Sequence, residues 1–304
     1  MRTRRPNPPG SLLFDLPTDD HRAPRATDPD LRDADRIVFN HSGGKDGLAA
    51  LIVGVPRAAS AGVLDRVVVQ YNDLGRVVWP STREADEALA AEGFEPWLVD
   101  RFGDRPGCRD LARLHARHFG VRFEVRSRAG LDLLDDIERR GKFPDAARRW
   151  CTSDFKRGPG QKLLTELTRE LDLDRPARIV YVYGFRAEES TNRARKSPCA
   201  PNASASNLTR RHVVDWYPVH HWTEEQVWAE IRAEGVPWAW PYDAGMSRLS
   251  CSMCVLASKQ DLLTAIRLRP GLARQYAAVE ERIGHSFQQG RPMAALLAEA
   301  GVSR

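Results

Sequence analysis

Two sets of residues in this chain have the types and spacing to do chemistry. The first is the run Ser42-Gly43-Gly44-Lys45-Asp46-Gly47. Arg36 to Phe39 before it reads as a short buried strand, and the Ala-rich apolar stretch Leu48 to Val55 after it reads as a helix. A strand, a glycine turn and a helix N-terminus make an anion site. Glycine lets the backbone approach the ligand, and the first helical N–H groups and the helix dipole favour negative charge. Lys45 adds a point charge and Ser42 a hydroxyl donor. The spacing is neither G-x-x-x-x-G-K-S/T nor G-x-G-x-x-G, so neither of those phosphate loops is present. An ordinary glycine-rich turn is the competing reading.

The second set is the cysteines, Cys108, Cys151, Cys199, Cys251 and Cys254. Their number is odd, the chain is long, and no apolar export segment follows Arg2, Arg4 and Arg5. Metal ligation or thiol chemistry therefore fits better than a disulfide scaffold. Cys251-x-x-Cys254 is a chelate pair on a tight turn. With Cys151 and Cys199 it gives four thiolates, enough for a 4Fe-4S cluster or a structural zinc. Zinc sites commonly use two close pairs, and two single, distant cysteines favour the cluster. Cys108, in a Pro-Gly-Arg context, is either a persulfide carrier or a spectator thiol. His115 and His118 have helical spacing for metal, but no third ligand stands near them in sequence.

These residues need elements to hold them. Arg66 to Tyr71 reads as a second strand, giving a right-handed βαβ unit whose ligand edge lies at the strands' carboxyl ends. Asp46 and Asp73 both fall there. Asp73 suits a ligand hydroxyl, a magnesium ion or a turn cap. Ser81 to Glu92 reads as a helix capped by Ser81 or Thr82, with Glu84 beside it. Pro96 to Val99 reads as a third strand. Helices are expected in Leu111 to Phe119, Leu131 to Arg140 and Gly160 to Leu171. Arg178 to Tyr183 is a β-branched and aromatic strand ending in Gly184 and Arg186. Arg186 either meets anionic oxygens or pairs with Glu188 or Glu189. Residues 191–212 read as a mobile basic loop, free to close over an anionic substrate or simply solvated. Thr223 caps a helix from Glu224 to Glu234. The last forty residues have amphipathic helical spacing and no evident chemistry.

The chain has 304 residues, 42% of them hydrophobic, which allows one large α/β domain or two smaller ones. It has no run of eighteen apolar residues, so no membrane partner is expected, and a cytoplasmic location is. The formal net charge of +5 permits a nucleotide or nucleic-acid partner without demanding one. Residues 1–35, with six Pro and seven Asp, read as a disordered tail. Leu12-Leu13-Phe14 within it is either a docking segment or part of a loose end.

The run from Ser42 to Asp46 closely resembles the SGGxDS loop of the PP-loop ATP pyrophosphatase superfamily and departs from it at Gly47, where the family usually has Ser. Trp150-Cys151-Thr152 with Lys156, and Gly184, Arg186, Glu189 and Ser190, resemble the phosphoadenosine-phosphosulfate reductase branch. So does the pattern from Trp222-Thr223 through Trp228 to Tyr242 and Gly245, which continues into Cys251-x-x-Cys254. The resemblance implies an α/β fold of the adenine nucleotide alpha hydrolase type: a parallel twisted sheet with helices on both faces, plus a C-terminal Cys-containing helical region. Its implied divisions are a tail at 1–35, a nucleotide-binding domain at 36–190, a basic loop and metal region at 191–265, and helices at 266–304. ATP or a related adenine nucleotide, with Mg²⁺, is expected on Ser42, Gly43, Gly44, Lys45, Asp46, Gly47, Asp73, Gly184 and Arg186. Lys45, Asp46 and Arg186 would be catalytic, and Cys151, Cys199, Cys251 and Cys254 would hold a 4Fe-4S cluster, as relatives in the reductase and DNA-phosphorothioation branches do. The reductase branch attacks its substrate with a cysteine near the C-terminus, and no cysteine follows Cys254 here. The expected activity is therefore an ATP-dependent, adenylating sulfur transfer, with DNA or RNA as acceptor and a cysteine desulfurase as donor. The alternatives are a sulfonucleotide reductase and a metal-stabilised nucleic-acid-binding module with a vestigial loop.

Overall fold

A computed structural model describes residues 21–207 and 209–302. The Leu12-Leu13-Phe14 segment lies outside the described residues. The strands are β1 (Arg36–Asn40), β2 (Val67–Asp73), β3 (Arg122–Ser127), β4 (Ala177–Tyr183), β5 (Cys199–Pro201) and β6 (Arg211–Trp216). They form one sheet in the order β3-β2-β1-β4-β6-β5, parallel except for the antiparallel edge strand β5. The order reverses between β1 and β4, so the crevice beyond their carboxyl ends is the switch point where such sheets bind ligands.

The helices are α1 (Lys45–Ser60), α2 (Thr82–Ala91), α3 (Leu98–Phe102), α4 (Cys108–His118), α5 (Leu133–Arg140), α6 (Trp150–Thr152), α7 (Gly158–Leu171), α8 (Thr191–Ala194), α9 (Glu224–Glu234), α10 (Lys259–Leu268), α11 (Pro270–Ile283) and α12 (Met293–Glu299). Strand side chains alternate between faces. Ile37 and Phe39 of β1 pack with α1, whereas Val38 packs with Leu163, Leu164 and Leu167 of α7. The sheet is thus covered on both faces, as expected. A third, larger core joins α2, α5, α10, α11 and α12 and includes Cys108, with Cys151 and Cys251 packed against it. Residues 21–35, part of the expected tail, lie on the body: Leu31 and Ala34 are buried, and the Trp222 indole N–H donates to the His21 carbonyl.

Three expectations about elements change. Pro96 to Val99 is not a strand: α3 begins at Leu98. The buried Asp86 carboxylate accepts from the amides of Trp97, Leu98 and Val99 at 2.8–2.9 Å, satisfying the orphan donors of a helix start. Strand β3, Arg-Phe-Glu-Val-Arg-Ser, was not anticipated. Its charged residues point to one side, where Arg122 and Arg126 pair with Glu170 and Glu166 of α7. Residues 191–212 are not a single loop. They hold α8, β5 and the start of β6, because β6 gains a full parallel ladder on β4.

Candidate active site

The loop from His41 to Gly44 joins β1 to α1. Gly43 has φ +82°, and a Cβ there would lie 3.1 Å from the Cys108 carbonyl, so glycine is required twice over. Gly44 is the N-cap of α1 and contributes no side-chain cap. The Lys45 amide instead donates to the Tyr242 hydroxyl at 3.1 Å. Lys45 is 3% exposed. Its ammonium donates to the Ser247 carbonyl at 3.0 Å, stands 3.5 Å from Glu224, and lies over the Tyr242 ring. Ser247 is fixed in turn by the buried Asp261, which accepts from its amide and its hydroxyl. The segment leading to Cys251 is therefore folded directly onto the phosphate loop.

Gly47 has a steric reason. A Cβ there would come 2.6 Å from Nδ1 of His41. His41 is buried beneath the loop, with Nε2 2.8 Å from Nδ1 of His115, whose Nε2 reaches the Pro237 carbonyl at 2.7 Å. A carbonyl only accepts, so neutral His115 carries its proton on Nε2, and His41 must donate from its own Nε2. Nδ1 of His41 is then an acceptor without a partner among the described residues. Burial, and secondarily His115, hold His41 well below the usual histidine range. Burial brings His115 down to about 4, against an opposing bond to Pro237. The His115 and His118 pair proposed for metal is divided: His115 faces His41 while His118 meets Glu234.

Across the switch point, Gly184 ends β4 against the start of α1. A Cβ on it would fall 2.1 Å from the Asp46 carbonyl oxygen. This close approach brings Arg186 to Asp46, with Nε donating to the carboxylate at 2.6 Å. Arg186 is 3% exposed and also pairs with Glu188, the partner weighed from sequence, and stands 3.8 Å from Glu224. Burial opposes its charge, but Asp46 and Glu188 outweigh it and raise its pKa. Arg193 is pulled down to about 10 by burial and then by the repulsion of Arg248, with Arg186 and Arg149 adding to it and Asp46 opposing. Arg186 and Arg193 thus stand near Asp46, with Arg248 and Arg149 near Arg193, in a cluster that also holds Glu188, Glu189 and Glu224. Asp73, at the end of β2, accepts from the Gly75 amide at 2.9 Å, so it serves as the turn cap. Ser42 is exposed at the rim.

The structure divides the four cysteines drawn from the sequence. Cys151 sits on α6, directly before a π-helical turn at Ser153–Arg157. Cys251, Cys254 and Cys151 lie within electrostatic reach of one another and of Lys156. Burial pushes Cys251 up to about 12 and raises Cys151, while Lys156 opposes both shifts. Cys199 is elsewhere. It pairs with Trp216 at the β5 edge and packs on the α1 face of the sheet, where its charged neighbours are Asp28 and Asp215. Among the described residues no three His, Cys, Asp or Glu side chains converge as ligands of one metal ion, and none of the cysteines is disulfide-bonded. Sequence reasoning missed Glu224, Tyr242 and Ser247 as neighbours of the loop. Tyr242 lay inside a recognised pattern, but nothing local marked the others.

Residues 118–257 match the phosphoadenosine phosphosulfate reductase domain family. The uncharacterized 37.8 kDa protein in the gpa 5′ region of Escherichia phage 186 is 27% identical over 265 residues, covering 83% of this chain and 77% of that protein. Adenosine 5′-phosphosulfate reductase of Allochromatium vinosum is 28% identical over 152 residues, 49% of this chain and 53% of that enzyme, so the chain spans about half of its length. Among solved structures, phosphoadenylyl-sulfate reductase from Candida auris, in a phosphate complex, superposes with a TM-score of 0.41 at 14% identity, covering 71% of this chain and 81% of that one. No helix among the described residues is long and apolar enough to cross a membrane. Residues 118–257 of this chain are therefore similar to the phosphoadenosine phosphosulfate reductase domain, the family that its motifs resemble.

Proposed function

We propose that the protein is an ATP-dependent sulfurtransferase that adenylates its acceptor, and that the acceptor is a nucleic-acid backbone. The observation carrying this reading is the contact between the two chemical regions. Gly43 abuts Cys108, and Lys45 is bonded to the segment that runs into Cys251 and Cys254. ATP would lie with its phosphates on Ser42 to Gly47. An acceptor phosphate oxygen attacks the α-phosphorus, the bond to the β-phosphate oxygen breaks, and pyrophosphate leaves. Lys45 and the first turn of α1 stabilise the charge developing on that leaving group, with Mg²⁺ as counter-ion. Sulfide, released by a thiol reductant from the persulfide of a cysteine desulfurase, then attacks the adenylated phosphorus in a step that is itself redox-neutral. A P–S bond forms, the P–O bond to AMP breaks, and no electron changes hands. The arginines around Asp46 suit an anionic acceptor. Cys151, Cys251 and Cys254 are soft donors held beside Lys156, and they fit an iron–sulfur cluster better than a single zinc, whose thiolates must converge within about 4 Å of one another. Such a cluster would supply a binding site for the incoming sulfur.

Anaerobically purified protein should release pyrophosphate from ATP only when DNA or RNA is present, and AMP only when a sulfide source is added as well. The sulfonucleotide reductase reading is favoured by the 28% identity to adenosine 5′-phosphosulfate reductase. It takes over if adenylyl sulfate or its 3′-phosphate yields sulfite with a thiol reductant while ATP is left intact.

A further inference from the structure

We propose that Glu224 sets the affinity of the loop for phosphate: its carboxylate occupies the anion position between Lys45 and Arg186 and must turn out before a polyphosphate can bind. This inference rests on the nucleotide reading above. Glu224 is the first residue of α9. That helix packs on α1 through Val227 and Ile231 against Leu48 and Ile52, so its start is fixed at the mouth of the loop. The Glu224 amide donates to Glu188 at 2.9 Å, and Glu188 also pairs with Arg186. From this anchored backbone the side chain reaches both cations. One carboxylate oxygen stands 3.5 Å from Nζ of Lys45 and the other 3.8 Å from Nη2 of Arg186. A group that spreads negative charge over two oxygens between two buried cations has the place a ligand phosphate would take.

The distances say which carboxylate gives way. Asp46 accepts from Arg186 at 2.6 Å, Glu189 pairs closely with Arg193, and both are largely buried. Glu188 holds Arg186 and the Glu224 amide together. Glu224 alone of the four is half exposed without a hydrogen bond to its cations, since both contacts are longer than such a bond. Returning it to water therefore costs little. A phosphate group cannot share the position, because two anions within about 4 Å repel one another. An adjoining cavity of about 280 Å³, lined by Glu224, Trp228, Arg232 and Tyr242 among others, leaves room for the displaced side chain. Every ligand that seats a phosphate between Lys45 and Arg186 pays for this displacement, whereas an uncharged nucleoside does not.

The test measures pyrophosphate, ATP and adenosine binding by isothermal titration calorimetry on wild type, Glu224→Gln and Glu225→Gln. Glu225 is exposed in the same first turn, so its variant loses the same charge from the same helix start. Glu224→Gln should bind pyrophosphate and ATP about tenfold more tightly than wild type. Adenosine affinity should not change, and Glu225→Gln should behave as wild type. In a Lys45→Met background the gain from Glu224→Gln should shrink, because one of the two contacts it relieves is already gone. Thermal melting checks the fold, and Glu224→Ala stands in should the glutamine variant unfold. Unchanged affinity in Glu224→Gln, an equal gain in Glu225→Gln, or a gain that persists in full without Lys45 overturns the role of Glu224 and leaves the nucleotide site standing. If none of these proteins binds pyrophosphate or ATP, the nucleotide reading fails and this inference with it.

Discussion

The phosphate loop and the thiol site touch at Gly43 and Cys108, yet they are assembled in opposite ways. The loop motif is six consecutive residues running from the β1–α1 turn into the first turn of α1, and two of its glycines answer a local demand. Gly43 takes a positive φ, and Gly47 makes room for His41. The cysteines set against the large core come from α4, from α6 and from the turn before α10, segments tied together by the strap from Val77 to Trp79 and the core around Tyr276. A site built from one segment forms when that segment folds. A site built from several inherits every uncertainty of long-range packing, and its ligand set is decided by topology rather than by spacing.

The largest effect should come where the two halves of the crevice press together. Gly184→Ala would drive a methyl group into the Asp46 carbonyl and the Gly47 amide, both backbone. It should cost about 3 kcal/mol in urea unfolding and abolish nucleotide binding by equilibrium dialysis, without removing iron from protein that remains folded. If iron goes as well, the two sites are one cooperative unit and the contrast drawn above fails.

Acid should reveal the histidine floor under the loop. His115 is held at about 4 in the fold, against an ordinary value of about 6.5. Its folded pKa is depressed, so the unfolded chain binds the extra proton first, and stability falls as pH drops from about 6.5 to about 4. The loss over that window is about 3 kcal/mol, and His41, shifted the same way, adds to it. Melting temperature followed against pH should show this slope, and His115→Gln should flatten it.

Lys45→Met keeps the buried aliphatic stem and removes the charge. ATP affinity should fall about 30-fold, equivalent to about 2 kcal/mol, with little change in thermal stability. An unchanged affinity would mean that the ammonium stays with Ser247 and Glu224 and does not turn to the nucleotide. Gly47→Ser, which restores the residue usual in the resembled loop, should cost about 1 kcal/mol in wild type and nearly nothing in a His41→Ala background. Equal costs in the two backgrounds would show that His41 does not dictate the glycine.

Much of the nucleotide half was legible in the sequence because its signals are short-range. The β1, glycine turn and α1 succession, the Ser81 capping box and the Thr223 cap stand where local patterns put them. Asp73 had a ligand reading and a turn-cap reading with the same local signature, and its bond to the Gly75 amide is the turn cap. Arg186 was marked as a contact at the ligand edge, but its partners Asp46 and Glu188 sit on different elements. In the thiol half, Cys199 packs in a different core from Cys151 and Cys251. Cys199 and Cys108 are each a lone cysteine within two residues of a proline, and spacing cannot say which core either one joins.

By itself the sequence determined the pieces whose cause lies within a few residues: backbone freedom at glycine, side-chain caps at helix starts, and strand-forming apolar runs. Tertiary structure alone decided that Pro96 to Val99 leads into a helix capped by Asp86, that β6 joins the sheet beside β4, and that His41 stands where a side chain at position 47 would go. It also decided which thiols share a core. Those outcomes depend on atoms far apart along the chain, where burial and hydrogen bonding between distant segments outweigh local preference.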